Sequence, residues 1–287
     1  MASAPGSADI AGDVASAPAS SGTIRIATFN IQVFGVTKRE NPEIMSVLTE
    51  VARKFDILAI QEVRDSSETT VDYFLSEINE SGSPTYKAVI GPRLGRSSSK
   101  EQYAFIYNSE RVNYIANSMY TFNDSQDVFE REPLVARFKA GNFSFVLVDI
   151  HTKPDDATAE IDALDDVISD ALHYYSGEKD VIALGDFNGD CSYFKPEDHE
   201  SSLQAPKYLW IVPDNADTTT RESTNCAYDR MVALEASTSE DYSGHWGIER
   251  FDTEFGLDEE ETVDVSDHFP VWADFKTSED TDGGPSS

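Results

Sequence analysis

Residues 143–188 read FSFVLVDIHTKPDDATAEIDALDDVISDALHYYSGEKDVIALGDFN. Two unbroken apolar runs, FSFVLVDI and DVIAL, have the length of buried strands. Between them Ile161, Leu164, Ile168, Leu172 and Tyr175 recur at three- and four-residue intervals, the stripe of a helix that buries one face. The first run ends at His151 and the second at Gly185-Asp186-Phe187-Asn188, so polar groups sit where the strands stop. Working outward, the same grammar repeats. TIRIATFNI (23–31) is a strand ending near Asn30; Asn41-Pro42 opens a helix with Ile44, Val47, Leu48 and Val51 on one face. DILAI (56–60) leads to Gln61-Glu62, and Val71, Phe74, Leu75 and Ile78 mark a second helix. YKAVI (86–90), YAFIY (103–107) and PLVARF (133–138) read as strands, as do LWIV (209–212), YDRMVAL (228–234) and HFPVWADF (268–275). Strands are expected to outnumber helices about three to one, in two sheets packed face to face with helices outside.

Composition bounds what such a chain does. Of 287 residues, 39% are hydrophobic and 26% charged, with 22 basic against 53 acidic side chains and a net charge of −31. This is ordinary for a folded chain. No apolar run approaches the roughly 18 residues of a membrane span, so no membrane partner is expected. Nor does any segment join a basic start to a short apolar core as a signal peptide does. Residues 1–22, rich in Ala, Ser, Gly and Pro, and the acidic 277–287 read as disordered tails around one domain, 23–276. No repeat of 20–50 residues is present. The acidity disfavours ordinary basic-groove binding of a polyanion unless salt screens the repulsion; we read the surface as that of a salt-adapted protein. Cys191 and Cys226 are compatible with free thiols or with a disulfide that stabilises by about 3 to 4 kcal/mol.

The chemistry lies in the strand ends. Singly, Asn30 reads as a turn cap, Glu62 as a solvated strand end, His151 as a core histidine and Asp186 as an Asx-turn residue. Together, Asn30, Glu62, Asp186 and Asp267 form an oxygen-donor set suited to Mg2+ rather than zinc, with His151 and His268 beside it for acid and base work. Strand ends in layered α/β structures converge on a rim where ligands bind. The reaction these groups suit is hydrolysis of a phosphate ester, with the ion neutralising charge on the phosphoryl oxygens.

FNIQVFG (29–35), AIQEVRD (59–65), SSKEQYAF (98–105), FEREPLVARF (129–138), IHTKPDDATAEIDAL (150–164), GDFNGDCSYF (185–194), PDNADTTTRESTNCAYDRMV (213–232) and VSDHFPV (265–271) closely resemble, in order, the motifs of deoxyribonuclease I. GDFN and SDHFP alone indicate the wider endonuclease/exonuclease/phosphatase superfamily; the stretch through CAYDR is far more specific. The resemblance implies a four-layer α/β/β/α sandwich with two central, mostly antiparallel sheets. It also implies a monomeric, secreted, Mg2+-dependent endonuclease, Mn2+ able to substitute, that cuts double-stranded DNA with low sequence specificity and leaves 5′-phosphates. By motif, His151 is the general acid oriented by Glu101 and His268 the general base oriented by Asp229. Asn30, Glu62, Asp186 and Asp267 hold the ion, and Asn188 contacts the scissile phosphate. Arg64, Arg131, Tyr193 and Tyr228 fall where the family touches the DNA backbone and minor groove. Asp127, Phe129 and Glu132 match one structural Ca2+ loop and Asp217, Thr219 and Thr224 another; Cys191 and Cys226 match a structural disulfide. Ser99 replaces an exposed tyrosine and Gln32 an arginine, and the second calcium loop is one residue longer, with Arg221 and Glu222 inside it. The alternative reading keeps the site but gives it a lipid or small phosphate ester. The sequence names no inhibitory protein partner.

Overall fold

The computed structural model describes residues 22–195, 201–278 and 280. Apart from 22, 277, 278 and 280, the two expected tails lie outside the described residues. The chain opens β1 (Thr23–Phe34), α1 (Val36–Arg39), α2 (Pro42–Ala52), β2 (Ile57–Val63), α3 (Thr70–Glu80), β3 (Tyr86–Ile90) and β4 (Gln102–Asn108). It continues through the short β5 (Asn113–Tyr114) and β6 (Tyr120–Thr121), then β7 (Leu134–Ala140), β8 (Phe143–His151), α4 (Ala157–Tyr174) and β9 (Val181–Asp186). Last come β10 (Tyr208–Trp210), β11 (Asp229–Leu234), α5 (Thr238–Asp241), β12 (Tyr242–Ile248), α6 (Phe251–Phe255), α7 (Glu259–Val265) and β13 (Val271–Lys276).

One sheet has the order β12-β13-β1-β2-β4-β3; the other runs β10-β11-β9-β8-β7-β5, with β6 also on β7. All pairings are antiparallel except β1–β2 and β8–β9, which are parallel. Alternating strand residues fill three cores. Ile26, Phe105, Phe145, Leu147, Leu184 and Val271 pack between the sheets. Phe29, Leu58 and Ile60 meet Leu48, Val51 and Phe74 of the outer helices on one side. Val146, Val148 and Ala183 meet Ile161, Leu164 and Ile168 of α4 on the other. Two sheet faces buried in the middle and one helical face on each outside make the four-layer sandwich expected from the sequence.

Strands outnumber helices only about two to one among the described residues, thirteen to seven, because four short helices carry no long apolar stripe. α7 is the clearest case. Its first turn is Glu259-Glu260-Glu261, stabilised by a capping box between Asp258 and Glu261, and only Thr262 and Val265 are buried. Tyr175 lies beyond α4 as its C-cap, and LWIV is a strand only through Trp210.

Candidate active site

Each parallel pair contributes two residues from its carboxyl ends. Asn30 of β1 faces Gln61 of β2, next to Glu62; His151 of β8 faces Asp186 of β9. Asp229, the first residue of β11, also pairs with Asp186. The two sheets thus deliver their polar ends to one rim. The β1–β2 and β2–β4 ladders both slip in register here, and Glu62 sits in the left-handed region at φ +60°, so the strand turns its carboxylate into the site. Asn188 at φ +46° and Val33 at φ +52° are strained likewise. Each is held by a site carboxylate: Val33 N–H donates to Glu62 Oε2 (2.8 Å) and Asn188 N–H to Asp186 Oδ1 (2.9 Å). Gly185 must be glycine, because at φ +144° a Cβ would collide with the carbonyl oxygen of Ile150.

Two histidine–carboxylate pairs flank Asp186. His151 Nδ1 lies 2.8 Å from Glu101 Oε2, and His268 Nδ1 lies 2.7 Å from Asp229 Oδ2. Their Nε2 atoms face the same Asp186 Oδ2, at 3.4 and 3.6 Å. Burial opposes ionisation of Glu101, but the His151 hydrogen bond and the charges of His151, Arg131 and Arg64 outweigh it and hold the carboxyl at about 2. Burial and Arg131 press against a charge on His151, while Glu101 and Asp186 prevail and raise it. His268 is raised well above its usual range: burial resists, and Asp229, Asp186 and Asp267 overcome it. Burial raises Asp229. Asp186 is lowered, the two imidazoles outweighing its desolvation.

Asn30 Nδ2 donates to both Glu62 Oε1 (3.2 Å) and Asp186 Oδ2 (3.0 Å), while its Oδ1 accepts the Gln32 N–H (2.9 Å). As placed, Asn30 therefore draws the two carboxylates together rather than presenting an oxygen. Asp267, its side chain one-third exposed, stands 3.8 Å from His268 Nε2. Asp186, Asp229 and His268 bring one potential ligand atom each within 4.8 Å of one another. Glu62, Asp186 and Asp267 give a hard, carboxylate-rich donor set, which fits Mg2+ or Mn2+. Burial pulls Lys38 down to about 8, against the opposing charges of Asp267, Glu62 and Asp264.

The residues expected to touch DNA divide in two. Arg64 is half-exposed, with its guanidinium 3.1 Å from Glu62 and 2.9 Å from Glu101. Tyr193 and Tyr228 pack at 5.6 Å between centroids, and Tyr228 lies 6.1 Å from the His268 ring, forming an aromatic flank. Arg131 is different. It is buried, and its guanidinium donates to the carbonyls of His151 (2.9 Å) and Thr152 (3.2 Å) and to Glu101 (3.3 Å). It holds the end of β8 and Glu101 from within the fold instead of standing on the rim.

The calcium loops also divide. Asp217 Oδ1 and the Thr224 carbonyl both lie on Thr219 Oγ1, at 2.7 and 3.1 Å, so the second loop gathers oxygens. In the first, exposed Asp127 is paired with Arg96 at 3.1 Å. Phe129 is buried with its N–H on Asp124, and Glu132 is half-buried. Cys191 and Cys226 form a disulfide with Cα atoms 5.9 Å apart.

Several supporting residues escape a reading based on strand ends. Tyr103 Oη accepts the His151 N–H (2.9 Å), Thr152 O accepts from Asn188 Nδ2 (3.0 Å), and Ser266 Oγ donates to Asn30 O (2.7 Å). Ser266 and Thr152 lay inside quoted motifs, beside His268 and His151, and that adjacency was the signal available.

Residues 27–268 match the endonuclease/exonuclease/phosphatase family. The chain is 38% identical to Deoxyribonuclease-1-like 2 of Mus musculus, covering 88% of this chain and 92% of that one. It is 38% identical to Deoxyribonuclease-1 of Homo sapiens (87% and 91%) and 37% identical to Deoxyribonuclease gamma of Mus musculus (86% and 83%). Among solved structures, a humanized D. rerio TDP2 superposes with a TM-score of 0.62 at 14% identity, over 89% of this chain and 99% of that one. D. rerio TDP2 complexed with a single-strand DNA product gives 0.59 at 14% identity, over 89% and 99%. These structures share the fold. Matches at this identity over 86–88% of the chain, together with two histidine–carboxylate pairs around one buried aspartate, place the chain in the endonuclease/exonuclease/phosphatase family, in its deoxyribonuclease I group.

Proposed function

We propose that this protein is a divalent-metal-dependent endodeoxyribonuclease that hydrolyses phosphodiesters of double-stranded DNA with low sequence specificity and leaves 5′-phosphate ends. The observation that carries the reading is the convergence of both imidazole Nε2 atoms on Asp186, each imidazole held through Nδ1 by its own buried carboxylate. One imidazole is thereby placed to protonate a leaving oxygen and the other to take a proton from water. We assign His151, oriented by Glu101, as the acid and His268, oriented by Asp229, as the base. Glu62, Asp186 and Asp267 would hold Mg2+, with Asn30 aligning them; when bound, the ion supplies charge neutralisation for the phosphoryl oxygens. Asn188, anchored by Asp186 and Thr152, offers its remaining amide N–H to the scissile phosphate. Arg64, Tyr193 and Tyr228 contact backbone and groove, while Arg131 acts by fixing His151 and Glu101.

The oxygens of Asp217, Thr219 and Thr224 would take a structural Ca2+. The disulfide supports export to an oxidising compartment. Among the described residues no helix is long and apolar enough to cross a membrane. The net charge of −31 supports salt adaptation.

Nicking of supercoiled plasmid with Mg2+ and Ca2+, from low to molar salt, with chelator and His151→Ala controls, tests these assignments. The expected result is nicking that rises with salt, against the ordinary counterion-release trend, and is lost in both controls. A monotonic fall with salt removes the salt adaptation. Hydrolysis of a small phosphate ester without nicking at any salt replaces DNA as substrate.

A further inference from the structure

Asn30 and Asp267 come from opposite ends of the chain: Asn30 lies on β1, and Asp267 lies in the segment between α7 and β13. The β1–β13 ladder ends at Thr28–Val271, so Asn30–Gln32 and Ser266–His268 are not held together by sheet pairing. Two side-chain ties replace it. Ser266 Oγ donates to Asn30 O. Lys38, on α1 immediately after β1, donates from Nζ to Ile31 O (3.2 Å) and, 227 residues along the chain from itself, to Val265 O (2.8 Å), joining the two segments. Val265 ends α7, where carbonyls have no partner within the helix, and the next residues but one are Asp267 and His268. The charges facing this ammonium are Asp267, Glu62 and Asp264, and two of these belong to the assigned ion ligands.

We propose that Lys38 is a positioning residue for the divalent-ion site, fixing the distance between the Asn30 and Asp267 segments and setting a positive charge behind Glu62 and Asp267. Lys38 reaches no substrate; it acts through the backbone on which the ligands stand. The inference rests on the ligand set proposed above. The two contributions of Lys38 to ion binding have opposite signs, which makes them separable. Loss of a nearby positive charge by itself strengthens binding of a cation. Loss of the tie lets the ligands drift and weakens it, by about tenfold for an interaction that orients metal ligands.

The test is the rise in melting temperature with MgCl2, without DNA, for wild type, Lys38→Met and Lys38→Arg, with Glu62→Gln marking the part of the rise that belongs to this site. Plasmid nicking against Mg2+ accompanies it. Lys38→Met is expected to need about tenfold more Mg2+ for the same rise and for half-maximal nicking, and Lys38→Arg, which can still donate to both carbonyls, to restore most of it. Should the methionine variant not fold, Lys38→Gln is read in its place with the same expectation. Wild-type or tighter Mg2+ dependence in the Lys38 variants, with only the ion-free melting temperature lowered, overturns the positioning role and leaves Lys38 as a stabilising residue. A folded wild type whose melting does not respond to Mg2+, or responds equally in Glu62→Gln, overturns the ligand set and this inference with it.

Discussion

Glu101→Gln tests the acid half of the site. Glu101 Oε2 bonds His151 Nδ1, and Oε1 meets Arg64 at 2.9 Å and Arg131 at 3.3 Å, so one buried carboxylate serves three cationic groups. Holding this carboxyl at about 2 rather than at 4.5 corresponds to about 3 kcal/mol of preference for the ionised form. The folded state therefore binds fewer protons than the unfolded one between these values. The contribution of Glu101 is complete above pH 4.5 and is lost as pH falls toward 2. Glutamine keeps the shape and removes the charge. At pH 7 the variant should melt roughly 6–12 °C below wild type, and the gap should close below about pH 4.5. Activity should fall about 10³- to 10⁴-fold, because an amide N–H facing Nδ1 favours the wrong tautomer. Glu101 also raises His151, so the variant imidazole titrates lower. If His151 is the acid, the high-pH limb of kcat/KM for plasmid nicking moves to lower pH while the low-pH limb stays. Movement of the low-pH limb instead exchanges the two histidine roles. Melting curves that stay parallel from pH 7 to 2, with neither limb displaced, would refute the reasoning.

Two further perturbations test parts of the fold. Replacing Cys191 and Cys226 by serine reopens a 35-residue separation, and the melting temperature should fall by roughly 6–15 °C at unchanged Mg2+ dependence; equal melting of oxidised protein and variant would deny the bridge a stabilising role. Glu160 is buried at the first turn of α4, where desolvation raises it to about 7 although it accepts the Glu130 N–H at 3.1 Å. Being raised above 4.5, it costs the fold about 3 kcal/mol progressively as pH climbs from 4.5 through 7. Glu160→Gln should therefore gain on wild type steadily between pH 5 and 8 in thermal melts, and a constant difference across that range would count against it.

Elements that bury whole faces were legible in the sequence. FSFVLVDI, DVIAL and DILAI sit between layers and read as unbroken apolar runs; α2, α3 and α4 each present one face to a sheet and read as stripes. Elements that touch the core at one or two residues were not. β12 is an edge strand whose residues are all half-buried or exposed, and α7 is carried by its capping box rather than by apolar spacing. The site follows the same division. Asn30, Glu62, His151 and Asp186 are strand residues whose polarity breaks an apolar run, so the sequence marks them, whereas Asp229 was reached only through the resemblance of its motif. Lys38, Tyr103, Thr152 and Ser266 act on backbone atoms of other segments; Thr152 and Ser266 are marked only by standing next to His151 and Asp267, and Lys38 by nothing in its own neighbourhood. Arg131 shows the limit from the other side: its motif was recognisable, but the burial that turns it from the rim toward the His151 carbonyl is a property of packing.

That burial bears on how so acidic a protein handles a polyanion. The net charge of −31 is a statement about the surface as a whole, whereas a reacting phosphate meets the field of the rim. At the rim Arg64 is held between Glu62 and Glu101, at 3.1 and 2.9 Å, while Arg131 supports Glu101 from within the fold. Partly desolvated charges are screened little by salt, while the exposed carboxylates of α7 and the outer loops are screened strongly. Raising the ionic strength therefore removes the long-range repulsion and leaves most of the local attraction in place. This difference in exposure, rather than any reversal of counterion release, is the physical reason to expect nicking to increase with salt.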